Sequence, residues 1–65
     1  MLISVTEAVV GDFVITENKR KGAGIKRVDL LEDGSVKFVY EDDSIEWFES
    51  YVTILRKNND QRLYR

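Results

Sequence analysis

The stretch VKFVYEDDSIEWF, residues 36–48, decides the fold. Val36, Phe38 and Tyr40 recur with period two, the spacing of one face of a β-strand, and their β-branched or aromatic side chains favour the same conformation. A second apolar run, Ile45, Trp47 and Phe48, follows the acidic residues Asp42 and Asp43, so the stretch reads as a hairpin. With Asp42-Asp43 as its two central residues, Tyr40 pairs with Ile45 and Phe38 with Trp47.

The preceding strand, IKRVDLLE, enters through Asp33-Gly34. A plain two-residue turn there would put Val28 and Leu30 on the face opposite Val36, Phe38 and Tyr40, splitting the core. A type I turn over Glu32-Asp33, with Gly34 in the left-handed bulge position, sets Leu30 opposite Val36 and Val28 opposite Phe38. One apolar face results, and a slip of one residue would move that whole set into water. The expected inner face is Val28, Leu30, Val36, Phe38, Tyr40, Ile45 and Trp47, joined by Val14 and Ile54. Leu31, Val39 and Phe48 fall outside it; Phe13 and Ile15 are not assigned a side. Either the N-terminal MLISV covers the outer residues as an extra strand, or they form a surface for a protein partner or for self-association.

GDFVITE and VTILRK supply a first and a last strand, giving an all-β chain of five short strands, the number of a small barrel. Sixty-five residues make one domain close to the lower size for a single core. It is expected over residues 1–57, with a short N-terminal extension and a polar C-terminal tail over 58–65. The chain has no Cys and no His, which removes disulfides, thiolate and imidazole chemistry and the usual zinc sites. No apolar run approaches the roughly 20 residues of a membrane span, and the start lacks the features of a signal peptide. The expectation is a cytoplasmic protein without membrane contact, cofactor, metal or catalytic residues.

Val10-Gly11-Asp12-Phe13-Val14 opening the first strand, Gly22-Ala23-Gly24 leading into the second, Asp33-Gly34 at the next turn, VKFVYEDDSIEWF as the hairpin and ESYVTIL as turn and closing strand together resemble the SH3-like barrels of the Tudor and KOW type. Within that group the chain is most similar to the C-terminal Tudor-like module of bacterial repair helicases, over residues 10–55. The resemblance implies a five-stranded barrel and a non-catalytic module that binds protein or nucleic acid. Methyl-mark readers of this type carry aromatic cage residues on the loop between the first two strands. Here that loop is NKRKGA, without an aromatic, which disfavours such a site.

Charge is segregated although the net charge is only −2. Lys19, Arg20, Lys21, Lys26 and Arg27 form a basic block around the first loop, which Arg56 and Lys57 would extend; Glu41, Asp42, Asp43, Glu46 and Glu49 form an acidic one. The acidic residues lack the ligand spacing of a calcium loop, and GAG lacks the Lys-Ser/Thr and following helix of a phosphate loop. Two functional readings follow. One is a protein-interaction module acting through Leu31, Val39 and Phe48, on a nucleic-acid machine such as RNA polymerase or the replication apparatus. The other is direct binding of nucleic acid, or of an acidic partner, through Lys19, Arg20, Lys21, Lys26 and Arg27, although no aromatic interleaves with that block to stack on bases. A structural component of a phage or other particle, oligomerising through strand edges, is a third.

Overall fold

The computed structural model describes residues 1–57; the expected tail at 58–65 lies outside them. The chain is all-β, with β1 (Leu2–Ser4), a single 3₁₀ turn (Val5–Glu7), β2 (Phe13–Ile15), β3 (Ala23–Leu30), β4 (Val36–Tyr40), β5 (Ile45–Phe48) and β6 (Thr53–Lys57). These make one open antiparallel sheet of six strands in the order β1-β6-β2-β3-β4-β5. The sixth strand is the MLISV segment, which pairs with β6 through Leu2↔Leu55, Ile3↔Ile54 and Ser4↔Thr53. It does not cover the outer face of the hairpins. A capping box between Ser4 and Glu7 turns the chain straight after β1 and delivers Val5 into the core.

The β3–β4 register is the bulged one, with Leu30↔Val36 and Val28↔Phe38, and Gly34 has φ +92°. The β4–β5 hairpin departs from expectation. Its pairs are Val39↔Ile45, Phe38↔Glu46, Lys37↔Trp47 and Val36↔Phe48, one residue away from the two-residue turn. The reason is chemical: Glu41-Asp42-Asp43-Ser44 repeats the turn of Glu32-Asp33-Gly34-Ser35. Asp43 takes the left-handed position at φ 72°, and Asp is one of the few side chains that tolerate it. Asp42 Oδ1 accepts from the Ser44 amide at 2.9 Å and from the Ser44 hydroxyl, as Asp33 Oδ1 does from the Ser35 amide at 2.9 Å and hydroxyl at 2.6 Å.

That slip exchanges the faces of β5. Trp47 and Ile45, expected in the core, are exposed, while Phe48, expected outside, packs inward against Phe38 with ring centroids 5.0 Å apart. Leu30 pairs as expected but, as the last residue of β3, lies past the core and is exposed. The core consists of Ile3, Val5, Ala8, Val14, Ile25, Val36, Phe38, Tyr40 and Ile54, with Val28, Phe48 and Val52 packed against it. Ile25 reaches it because the β3–β4 register shifts between Ile25 and Arg27. Lys26 is the extra residue of this bulge, so Ile25 and Val28 share the inner face despite their spacing of three.

Gly22 and Gly34 have different requirements. A Cβ on Gly22, at φ +96°, would meet the Phe13 ring at 2.2 Å, whereas one on Gly34 would meet nothing within 4 Å. Gly22→Ala is therefore expected to cost roughly 2 kcal/mol or more, from strain and overpacking together. Gly34→Asp, which copies the turn at Asp43, should cost about 1 kcal/mol or less. Urea midpoints of the two variants check this; equal losses would break the equivalence of the two turns.

Candidate functional site

In the β4–β5 ladder Glu46 lies opposite Phe38, on the inner face, and is only 8% exposed. A carboxyl group so placed needs donors. Tyr40 Oη donates to its Oε1 at 2.6 Å, Thr16 Oγ1 donates to the same oxygen at 2.8 Å, and Asn18 Nδ2 donates to Oε2 at 3.1 Å. Tyr40 stands on β4, while Thr16 and Asn18 lie on the loop that leaves β2. Glu46 thus ties β5, through side chains, to the loop after β2, a strand that stands three places away in the sheet. Burial, then the hydrogen bond to Glu46 and the charge of Glu46, push the Tyr40 phenol well above its ordinary value. Lys19 Nζ stands 5.1 Å from the Tyr40 ring centroid and 3.1 Å from Asp42 Oδ2. The Ser44 hydroxyl and amide, with Lys19 behind them, hold Asp42 well below the usual carboxylate range.

Beside this cluster runs an open cleft of about 750 Å³. One wall is the continuous run 45–49, the other is made by Ile15 to Asn18 with Val52 to Leu55 and Leu2. Among the described residues β5 has only β4 as a neighbour, so it is an edge of the sheet they form. The bond from the Tyr40 amide to the Ser44 carbonyl at 2.9 Å sets the ladder's phase. Bonded pairs then continue at Phe38/Glu46 and Val36/Phe48, and the main-chain N–H and C=O groups of Ile45 and Trp47 face away from β4. Their side chains are also open, Trp47 at 61% exposure and Ile45 at 48%. On the outer face the Trp47 ring lies 5.9 Å from Lys37 Nζ, which is itself 3.6 Å from Asp29 Oδ2. Among the described residues, every charged one lining the cleft is acidic: Glu17, Glu46 and Glu49.

No protein-family model, curated protein or solved structure matches this chain.

The residues singled out from the sequence are dispersed. Val39 is half-buried on the outer face, paired with Ile45 on one side and Arg27 on the other. Phe48 is on the opposite face, and Leu31 is half-buried at the turn, its amide bonded to the Ser35 carbonyl. The exposed apolar partners of Val39 are thus Ile45 and Trp47, not Leu31 and Phe48. Three of the five residues of the basic block are paired: Lys19 with Asp42, Lys26 with Asp43, and Arg27 with Asp29, which also pairs with Lys37. Arg20 and Lys21 are exposed and, among the described residues, have no carboxylate partner. Also among the described residues, no three acidic side chains converge to hold a metal ion, and no helix is long and apolar enough to cross a membrane. Sequence reasoning missed Glu46 as the buried tie; the signal available for it was the repeat of EDGS as EDDS.

Glu46→Ala is expected to cost on the order of 3 kcal/mol, because the Tyr40 and Thr16 hydroxyls lose their acceptor, whereas Tyr40→Phe should cost about 1 kcal/mol at neutral pH. Because the Tyr40 pKa is raised from 10.0, the folded state holds the phenolic proton where the unfolded chain releases it. Its contribution is complete below pH 10 and is lost as pH rises through the folded value. Denaturant titrations of the wild type above pH 10 should lose stability more steeply than those of Tyr40→Phe; parallel slopes would remove Tyr40 from the cluster.

Proposed function

We propose that this protein is a non-catalytic protein-interaction module, built as a small SH3-like barrel and binding its partner along β5. The observation that carries the reading is the edge of β5, where Ile45 and Trp47 offer exposed apolar side chains and outward main-chain groups beside an open cleft. Exposed aromatic and aliphatic residues clustered around a groove are the usual anchors of protein contacts. The barrel is supported by the bonds that Thr16 and Asn18 donate to Glu46, which bring β5 beside the loop after β2. Glycines at positive φ, Gly11, Gly22 and Gly34, stand at the turns of the resemblance to Tudor and KOW modules. That resemblance favours a cytoplasmic partner within a nucleic-acid machine, such as RNA polymerase or the replication apparatus.

The non-catalytic reading rests on Glu46. It is the acid at the cleft with the burial a general acid would need, and its oxygens are occupied by Tyr40, Thr16 and Asn18. Protein is favoured over nucleic acid by the charges: the cleft is lined by glutamates, and Lys19, Lys26 and Arg27 are already paired. A phosphate backbone would meet like charge along β5.

Trp47→Ala should cost about 1 kcal/mol or less, since it removes an exposed ring and its contact with Lys37, yet abolish retention of the native partner. Gln at Lys19, Arg20 and Lys21 together should leave that retention intact. Immobilised wild type and both variants, challenged with host lysate over a salt series, check this. Retention of nucleic acid that falls steeply with salt and is lost with the three Gln substitutions would overturn the reading.

A further inference from the structure

We infer that the cleft takes an extended, basic segment of the partner as an added β-strand on β5, with Glu17 and Glu49 engaging Lys or Arg side chains of that segment. The inference rests on the protein-interaction reading above and names the chemistry of the partner. Its geometric basis is the run 45–49, consecutive residues of both sheet faces that line one wall. When both alternating faces of a strand border a cleft, the main chain itself forms the wall. The groups it presents, the N–H and C=O of Ile45 and Trp47, are spaced for an incoming strand and fix its alternation. On one face the added side chains would lie beside Trp47 and Ile45; on the other they would enter the cleft toward Phe48 and Ile54.

Charge selects the occupant. Glu17 and Glu49 are exposed and line the cleft, and among the described residues neither carboxylate takes part in an ion pair or accepts a hydrogen bond; Arg20 Nε donates to the Glu17 main-chain carbonyl at 3.4 Å. Lys37, the cation beside Trp47 on the outer face, is engaged by Asp29. Among the described residues, no lysine or arginine lines the cleft. A basic strand satisfies these carboxylates, whereas a second copy paired through its own β5 would bring the glutamates of two clefts together. A polyproline-type ligand would leave the Ile45 and Trp47 main-chain groups unused.

Trp47 is the chain's sole tryptophan, so its emission reports occupancy directly. The probe is a blocked peptide of about eight residues alternating Lys and Val, enough to span the strand, with two controls: its Glu/Val counterpart, and the Lys/Val peptide N-methylated on adjacent central residues, which blocks both of its edges. The full chain should show a saturable shift of Trp47 emission to shorter wavelength with the Lys/Val peptide alone. Gln at both Glu17 and Glu49 should weaken it about fivefold. Equal binding of the Glu/Val peptide would overturn the charge rule, and equal binding of the N-methylated peptide would overturn strand addition. A wavelength shift that appears without peptide as protein concentration rises, with dimer in sedimentation, would assign the edge to a second copy and overturn the inference. Failure of the Lys/Val peptide, while retention of the native partner still depends on Trp47, overturns this inference and leaves the interaction reading standing. Retention indifferent to Trp47→Ala overturns the interaction reading itself.

Discussion

Glu46 places a carboxyl group where solvent barely reaches, and the rest of the architecture is arranged around satisfying it. Such a group is tolerated only when the donors around it replace the water it has lost. Tyr40 supplies one from the neighbouring strand, and Thr16 and Asn18 supply the others from the loop after β2, three places away in the strand order. The tie from β5 to the loop after β2 is therefore made by side chains and not by a ladder of backbone bonds. That distinction has a consequence for the surface. A ladder on the outer edge of β5 would have occupied the N–H and C=O groups of Ile45 and Trp47; a side-chain tie anchors the strand from its inner face and leaves its edge open.

The same residue explains where the sequence could and could not be read. Period-two alternation in Val36, Phe38 and Tyr40 is a local property, so the strand and its inner face were legible. So was the first hairpin, because glycine at the bulge position announces a left-handed residue. The second hairpin carries Asp43 at that position, and aspartate does not announce it. Pairing apolar with apolar then favoured a register with Trp47 inward. In the actual register a glutamate faces the core, which a reading based on hydrophobicity rejects until the three donors around it are known. Those donors are distant in sequence, Thr16 by 30 residues and Asn18 by 28. Ile25 escaped for a related reason: the bulge at Lys26 breaks the alternation that would have flagged it.

Charge patterning misled in a complementary way. Lys19 to Arg27 looks like one basic surface when read along the chain, but β3 and the following hairpin fold the acidic turn Asp42-Asp43 back against it. Lys19 and Lys26 each meet one of those aspartates, and Asp29 takes Arg27. Exposed pairs of this kind contribute little to stability. Their effect is on the field: they reduce the positive potential that a polyanion would need for steering, leaving Arg20 and Lys21 without a carboxylate partner among the described residues, while the glutamates lining the cleft add negative potential beside them.

An unpaired strand is a hazard for a small β-protein, because any other exposed edge can add to it. The two edges here are treated differently. β1 is short, three residues long. β5 is held rigidly by Glu46 and by the Phe48 ring against Phe38, so its free edge is preorganised and little conformational entropy is lost when a strand is added. Apolar side chains at that edge would make it indiscriminate. On the proposed reading, the glutamates lining the cleft would supply the discrimination, since they would repel other copies of the chain by the same interaction that would attract a basic segment. Rigidity from the buried carboxyl group and selectivity from the exposed ones are then separate contributions, made by residues of the same type and distinguished by what surrounds each of them.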